Sequence, residues 1–334
     1  MTEHVAILGA GSWGTALAVH CARVGHNIRL WGRDAAFVDE LDRLRENTRY
    51  LPSVQLPERV QVTSSLQRAL DGASVVVAAV PSHGMRNVVR SAAAHLARQA
   101  VIVSGTKGLE RESLDRMSQV IAEETGDRHP VVVLSGPSFA IEVARGLPTA
   151  VVAASPDPRA AAHVQDCLKG PTFRLYASDD VPGVEFGGAL KNVIAIAAGV
   201  VEGLGLGHNS MAALITRGLV EISRLACAEG GRRDTLSGLS GLGDLVLTCT
   251  GDLSRNRRVG IELGRGRSLD DILSQMRMVA EGVRTTHAAL ALGVRHGVEL
   301  PIAAQMDAVL ERRSSPREAV EALMLRRQRQ ETDY

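Results

Sequence analysis

The chain has 334 residues, of which 45% are hydrophobic and 22% charged, with a formal net charge of +1. That length suits two domains of ordinary globular composition. The near-neutral charge excludes a general electrostatic grip on nucleic acid or an anionic membrane, so any anion binding has to be local. Aromatics make up only 3%, so the core has to be built from Ala, Val, Leu and Ile.

The four cysteines, Cys21, Cys167, Cys227 and Cys249, are scattered and form no C-x-x-C pair. This pattern fits a reducing cytoplasm better than a disulfide framework or a zinc site, and no metal is expected. Met1-Thr2-Glu3-His4 runs straight into an apolar strand without the basic start of a signal peptide. The most apolar window, Val193–Val201, is too short to span a bilayer. The expectation is a soluble cytoplasmic protein with no stable membrane insertion. A homodimer is compatible with the sequence, but nothing in the sequence specifies one.

In chain order, the first half alternates short β-rich runs with helical stretches. Strands are predicted at His4–Gly9, Asn27–Trp31, Val60–Thr63, Ser74–Val80, Val101–Ser104, Val131–Leu134, Ala150–Ala153 and Thr172–Leu175. Several are continuous Val-rich runs, as expected of strands covered on both faces. Helices are predicted at Gly14–Val24, Ala36–Arg45, Leu66–Leu70, Met85–Ala97, Ser113–Glu124 and Arg159–Leu168. This alternation predicts a Rossmann-like, doubly wound α/β sheet.

Near residue 180 the pattern changes. Helices are predicted at Gly187–Val201, Ala212–Glu229, Val259–Arg265, Leu269–Ser274, Arg284–Leu292, Ile302–Leu310 and Pro316–Arg327, with no convincing strand. The expected division is a dinucleotide-binding domain over 1–182 and an all-α domain over 183–334, hinged at Ser178–Gly183.

Directly after the first strand, Gly9, Gly11 and Gly14 form G-x-G-x-x-G and open a helix. Gly9 allows the tight turn, Gly11 lets the backbone approach a pyrophosphate, and Gly14 lets helix and strand pack closely. The helix N-terminus adds N–H groups and positive dipole. The pattern predicts a dinucleotide, with FAD the main rival to NAD(P). At the end of the second strand the chain reads Trp31-Gly32-Arg33-Asp34. Arg33 suits the 2′-phosphate of NADP, whereas Asp34 suits the 2′-hydroxyl of NAD. Arg33 comes first, so NADP is favoured.

Only three of the 38 basic residues are lysines: Lys107, Lys169 and Lys191. An arginine keeps its proton near neutral pH, whereas a buried lysine can lose it. Lys107 lies in Ser104-Gly105-Thr106-Lys107-Gly108, at the carboxyl end of a strand, where open α/β sheets bind ligands. Lys169 lies in a Gly-Pro turn and reads as a surface residue.

Lys191 sits in an apolar helix, and none of its helical-face neighbours, Gly187, Gly188, Ile194, Ala195 and Ala198, is charged. Desolvation there disfavours the ammonium, which is how a lysine becomes an acid/base near neutral pH. Asp244, after the glycines of Ser240–Gly243, is placed to orient Lys191. Ser254-Arg255-Asn256 precede a helix and suit a phosphate. Gly136 and Ser138, after another apolar strand, offer bare backbone and a hydroxyl to a small polar ligand.

Together these motifs resemble bacterial NAD(P)-dependent glycerol-3-phosphate dehydrogenases along nearly the whole chain. The matching pieces are Gly9–Gly14, Pro81-Ser82-His83, Thr106-Lys107-Gly108, Gly136-Pro137-Ser138-Phe139-Ala140, Leu190-Lys191-Asn192, Gly241-Leu242-Gly243-Asp244, Leu253–Arg257 and Val279–Val283. Two local departures, Gly84-Met85 and His208, touch no residue assigned to chemistry.

The resemblance implies reversible reduction of dihydroxyacetone phosphate to sn-glycerol 3-phosphate. Lys191 would be the catalytic acid/base, and Lys107, Gly136, Ser138, Asp244, Ser254, Arg255 and Asn256 would hold the substrate. Gly9, Gly11, Gly14, Ser12, Trp13, Arg33, Lys107, Ala140, Arg255, Val279 and Glu281 would line the cofactor. Two rivals stay open: a related dehydrogenase acting on a 3-hydroxy acid or sugar acid, and a nucleotide sensor without chemistry.

Overall fold

The structure is a computed structural model, and it describes residues 2–276, 280–328 and 330–331. The chain divides into two compact units, residues 1–107 with 115–181, and residues 108–114 with 182–334. The short segment 108–114, which the sequence division gave to the first half, belongs to the second unit.

The first unit runs β1 (His4–Leu8), α1 (Ser12–Arg23), β2 (Asn27–Trp31), α2 (Ala35–Leu44), β3 (Glu46–Asn47), β4 (Leu51–Gln55), β5 (Val60–Thr63), α3 (Leu66–Leu70), β6 (Val75–Ala78), α4 (Ser82–Ala92), β7 (Val101–Ser104), α5 (Met117–Thr125), β8 (Val131–Ser135), α6 (Ala140–Arg145), β9 (Thr149–Ala154), α7 (Pro158–Leu168) and β10 (Phe173–Ser178). The eight-stranded sheet has the order β10-β9-β8-β7-β6-β1-β2-β5. From β5 to β8 every neighbouring pair is parallel.

Two features depart from the sequence expectation. β9 pairs antiparallel with β8, so the β9–β10 edge runs against the rest of the sheet. A two-stranded antiparallel ribbon, β3–β4, stands apart from the main sheet. Buried Leu51, Val54 and Leu56 root that ribbon in the same core as β1, β2 and α1. Strand order reverses between β1 and β6, and the crevice beyond such a switch point is where open α/β sheets take ligands.

The second unit is helical: α8 (Val181–Gly203), α9 (Gly207–Ala228), α10 (Arg233–Leu236), a π-helical turn (Leu239–Gly243), α11 (Asp244–Thr250), α12 (Arg255–Gly264), α13 (Leu269–Ser274), α14 (Glu281–His296), α15 (Pro301–Leu310) and α16 (Pro316–Met324). α8 extends well beyond the apolar window read from sequence. By length and composition its 23 residues match a membrane span, yet its apolar stretch is wholly buried inside the protein. It is the central helix of the second core. Its neighbours come very close: a side chain on Gly260 of α12 would collide with the carbonyl of Ile196, and one on Gly199 with that of Arg257.

Glu221 of α9 ties α15 into this core. Its carboxylate, 6% exposed, accepts from the backbone N–H groups of Ile302 (2.6 Å) and Ala303 (3.3 Å), capping the start of α15. Burial pushes the Glu221 carboxyl up to about 7, against the pull of those two N–H groups and of Arg224 and Arg326. The folded pKa therefore lies above the ordinary value of 4.5. Stability contributed by this group is fully present below that ordinary value and lost as pH rises through about 7. Unfolding free energy measured at pH 5 and pH 8 should fall more in the native protein than in Glu221→Gln, by roughly 1–3 kcal/mol. Equal losses in the two proteins would show that the carboxyl titrates normally.

Candidate active site

In the first unit, β1 ends at the switch point and delivers the glycine loop there. Gly9 has φ of 117°, and a side chain on it would press on the Ala79 carbonyl oxygen at 2.7 Å, beside the end of β6. A side chain on Gly14 would collide with the carbonyl of Gly9. One on Gly11 would meet no atom within 4 Å. The first and third glycines are thus demanded by the fold, and the second is not.

Three observations show that this loop fits a dinucleotide pyrophosphate. Gly11 leaves open space where backbone could be approached, no side chain caps the N-terminus of α1, and the indole Nε1 of Trp13 is buried without a hydrogen-bond partner. Ser12 is the first residue of α1. The Trp13 indole lies against Gly105, at the end of β7 and two residues before Lys107.

Lys107, Gly136 and Ser138 come together. The Lys107 ammonium donates to the Gly136 carbonyl at 2.9 Å, and the Ser138 hydroxyl donates to the same oxygen at 3.1 Å. Gly136 has φ of 140° and packs on Val151 of β9, so a larger residue is strained there. Ala140 opens α6 directly after this turn.

Arg33 is exposed just past β2. Asp34 is committed locally: it accepts from Phe37 N–H at 3.3 Å to cap α2, and it pairs with Arg49 at 3.7 Å. Arg49, which sequence reading passed over, also lies 4.8 Å from the Phe37 ring centroid. Lys169 is exposed and pairs with Asp166 at 2.6 Å.

In the second unit, Lys191 is 6% exposed on α8 and Asp244 is fully buried at the start of α11. The Lys191 ammonium hydrogen-bonds the Asp244 carboxylate and the Thr248 hydroxyl, the latter at 2.8 Å. Thr248 in turn donates to the Asp244 backbone carbonyl at 2.6 Å. Burial disfavours the ammonium and the adjacent carboxylate favours it, so two opposed effects act on one proton.

The approach depends on glycines: a side chain on Gly187 would press on the Ser240 carbonyl at 2.5 Å, and one on Gly241 would collide with Leu236. Thr248 was missed from sequence, although its spacing of four from Asp244 puts both on one helix face. Cys249 beside them is no nucleophile, because burial pushes its thiol up to about 12 despite the nearby Lys191 charge.

Next to Lys191, Asn192 accepts from Asn256 at 2.9 Å, and Asn256 accepts from Gly282 N–H at 3.0 Å. The Asn256 side chain therefore spans α8, α12 and α14, a bracing role the sequence did not reveal. Ser254 caps α12 through Arg257 N–H at 3.2 Å. Arg255 is exposed at the first position of α12, within electrostatic reach of Glu281, the first residue of α14. Val279 lies outside the described residues. Among the described residues no cluster of His, Cys, Asp and Glu could hold a metal ion.

A glycine loop at a switch point and a buried lysine held by a carboxylate mark a nicotinamide-dependent dehydrogenase as the class to test. The family model for the NAD-dependent glycerol-3-phosphate dehydrogenase N-terminus matches residues 4–161, and that for the C-terminus matches residues 180–321. The chain belongs to the NAD-dependent glycerol-3-phosphate dehydrogenase family.

It is 52% identical over 328 residues to a glycerol-3-phosphate dehydrogenase [NAD(P)+] from Koribacter versatilis, covering 97% of each chain. It is 51% identical over 326 residues to the enzyme of that name from Moorella thermoacetica, covering 98% of this chain and 97% of the relative. A crystal structure of glycerol-3-phosphate dehydrogenase from Coxiella burnetii, 42% identical, superposes with a TM-score of 0.94 over 97% of this chain and 99% of that one.

The glycine contacts give a paired expectation. Gly11→Ala should melt within a degree or two of the native protein while binding NAD(P)H more weakly, because its methyl meets ligand rather than protein. Gly14→Ala should lose roughly 1–3 kcal/mol of stability in the ligand-free state. Thermal melting with calorimetric cofactor titration separates the two, and equal melting temperatures for both variants would contradict the assignment.

Proposed function

We propose that the protein catalyses reversible NAD(P)H-dependent reduction of dihydroxyacetone phosphate to sn-glycerol 3-phosphate, with Lys191 as proton donor and acceptor. It would do so in the cytoplasm, supplying the backbone of glycerophospholipids. The observation that carries this reading is the buried ammonium of Lys191, held between Asp244 and Thr248. Membership of the family supports the substrate.

When bound, the reduced nicotinamide supplies hydride to the C2 carbonyl of the substrate. Lys191 gives a proton to the carbonyl oxygen as charge develops there, and in the reverse direction accepts the hydroxyl proton. Asp244 and Thr248 restrict the ammonium to one orientation, so little reorganisation accompanies transfer. Asn256 and Asn192 brace the helix that carries Lys191. Arg255 and the N-terminus of α12 offer positive charge and N–H groups to the substrate phosphate.

Lys107 and Ser138, converging on the Gly136 carbonyl, offer further polar contacts to the small substrate. Gly9, Gly11, Ser12, Trp13, Gly14, Arg33, Ala140, Val279 and Glu281 line the dinucleotide in this reading. NADPH is the preferred cofactor, because Arg33 is exposed where a 2′-phosphate falls, whereas Asp34 is engaged by Phe37 and Arg49.

Decay of NADPH absorbance with dihydroxyacetone phosphate, repeated with NADH, and growth of NADPH absorbance from NADP+ with 3-hydroxy acids test the reaction and its rivals. Turnover only on the hydroxy acids would overturn the phosphate assignment. Lys191→Ala should lose about 10²–10⁴-fold in kcat while still binding cofactor. Turnover within tenfold of the native enzyme would remove Lys191 from the mechanism. Arg33→Ala should raise KM for NADPH about tenfold and leave KM for NADH nearly unchanged.

A further inference from the structure

The β3–β4 ribbon has no place in the alternating βα pattern, yet its second residue carries one of the few fully buried amides of the first unit. Asn47 is 0% exposed. Its Nδ2 donates to the Ala10 carbonyl at 3.0 Å and to the Thr15 hydroxyl at 2.8 Å, while its Oδ1 accepts from Tyr50 N–H at 3.0 Å. A carbonyl can only accept and a backbone N–H can only donate, so the amide orientation is fixed by its partners. The ribbon itself is held firmly: Glu46 accepts from Ser53 N–H at 2.8 Å and Gln55 at 3.1 Å, and Leu56 N–H donates to the Arg45 carbonyl at 2.7 Å.

Ala10 lies between Gly9 and Gly11, in the loop read above as the pyrophosphate site. Among the described residues there are no cis peptide bonds. In a trans peptide unit the C=O and the N–H point in opposite directions. Holding the Ala10 carbonyl inward therefore turns the Gly11 N–H the opposite way, and a side chain on Gly11 would itself meet open space. The orientation of this peptide unit is set by ψ of Ala10 and φ of Gly11, and Gly11 lacks the Cβ that narrows backbone choice, so the unit benefits from an outside restraint. A buried amide with all its bonds made is such a restraint.

We propose that Asn47 is a positioning residue for cofactor binding, which aims the Gly11 N–H at the dinucleotide pyrophosphate by holding the Ala10 carbonyl. The proposal rests on the reading of the glycine loop as the cofactor site. It adds to that site a residue more than thirty positions away in sequence that touches no ligand itself.

The test is calorimetric titration of the whole protein with NADPH and, separately, with adenosine 2′-monophosphate, which carries the adenosine end but no pyrophosphate. If NADH binds better than NADPH, NADH and adenosine replace them. Asn47→Ala should bind the dinucleotide about tenfold more weakly and the pyrophosphate-free fragment as the native protein does. Should Asn47→Ala show no cooperative melting, Asn47→Asp serves the same comparison, because it keeps the acceptor for Tyr50 N–H and loses the donor to Ala10.

Thr15→Val removes the other acceptor of the Asn47 amide and leaves the Ala10 bond. It should lower the melting temperature without changing dinucleotide affinity. Native dinucleotide affinity in the Asn47 variant overturns the proposal. So does parallel weakening of dinucleotide and fragment, or equal weakening by Thr15→Val. If the native protein itself binds neither dinucleotide, the cofactor reading fails first.

Discussion

An ammonium paired with a carboxylate inside an apolar helical wall is the constraint on which the second unit is built. Taking a lysine and an aspartate out of water costs several kcal/mol per ion, and their attraction repays this only when geometry is good and the remaining bonding capacity is used. Lys191 and Asp244 meet that condition through each other and through Thr248, which bridges the ammonium and the Asp244 backbone. The pairing requires α8 and the π-helical turn before Asp244 to approach at backbone distance, which explains glycine at 187, while glycine at 241 lets the same turn pack on the Leu236 backbone of α10. It also requires α8 to be held along its length, and Gly199, Gly260 and the Asn192–Asn256 bond supply that support. A device built for stability alone would use apolar side chains here, since replacing a buried ion pair by packed hydrophobes is often neutral or stabilising. In the proposed reaction the pair is a proton-handling group kept at a cost.

The first unit obeys a different constraint. Strand order reverses between β1 and β6, leaving a crevice beyond their carboxyl ends, and three of the site's segments issue from such ends: the glycine loop after β1, Gly105–Lys107 after β7 and Gly136–Ser138 after β8. Their glycines divide by function. Gly9 and Gly14 are set by protein contacts, whereas a side chain on Gly11 would meet nothing within 4 Å. Arg33 and Asp34 follow β2, where Asp34 is engaged by Arg49 and the start of α2 and Arg33 is exposed, the contrast on which the proposed cofactor preference rests.

Much of this was legible in the residues. The parallel strands announce themselves as continuous runs such as Val75-Val76-Val77, because a strand covered on both faces needs no polar alternation. Lys191 stood out because the chain uses lysine so sparingly and places this one among small apolar residues. What escaped reading had physical causes. The direction of β9 is not written in its composition, since Thr149–Ala154 reads the same either way. β4 carries Pro52 and a positive φ at Ser53, which disguise a strand as a turn. α6 has six residues, too few for a helical period to show. The π-helical turn at Leu239–Gly243 is glycine-rich and reads as loop. Asn47 gave no signal, because its partners Ala10 and Thr15 lie in a different element and nothing local marks a polar residue as buried. Asn256 was singled out as a phosphate ligand, and its amide also bonds Asn192 and Gly282, a pattern that only the packed helices reveal.

The central claim is that the amine at position 191 carries the proton of the reaction. Its most direct test is rescue of a Lys191→Gly enzyme by added primary alkylamines of graded basicity, at saturating dihydroxyacetone phosphate and NADPH. The account predicts that turnover returns with amine concentration and varies systematically with amine pKa, as general acid–base transfer requires. If no amine restores turnover while both ligands still bind, or if the variant turns over without one, the proton comes from elsewhere and the account is wrong.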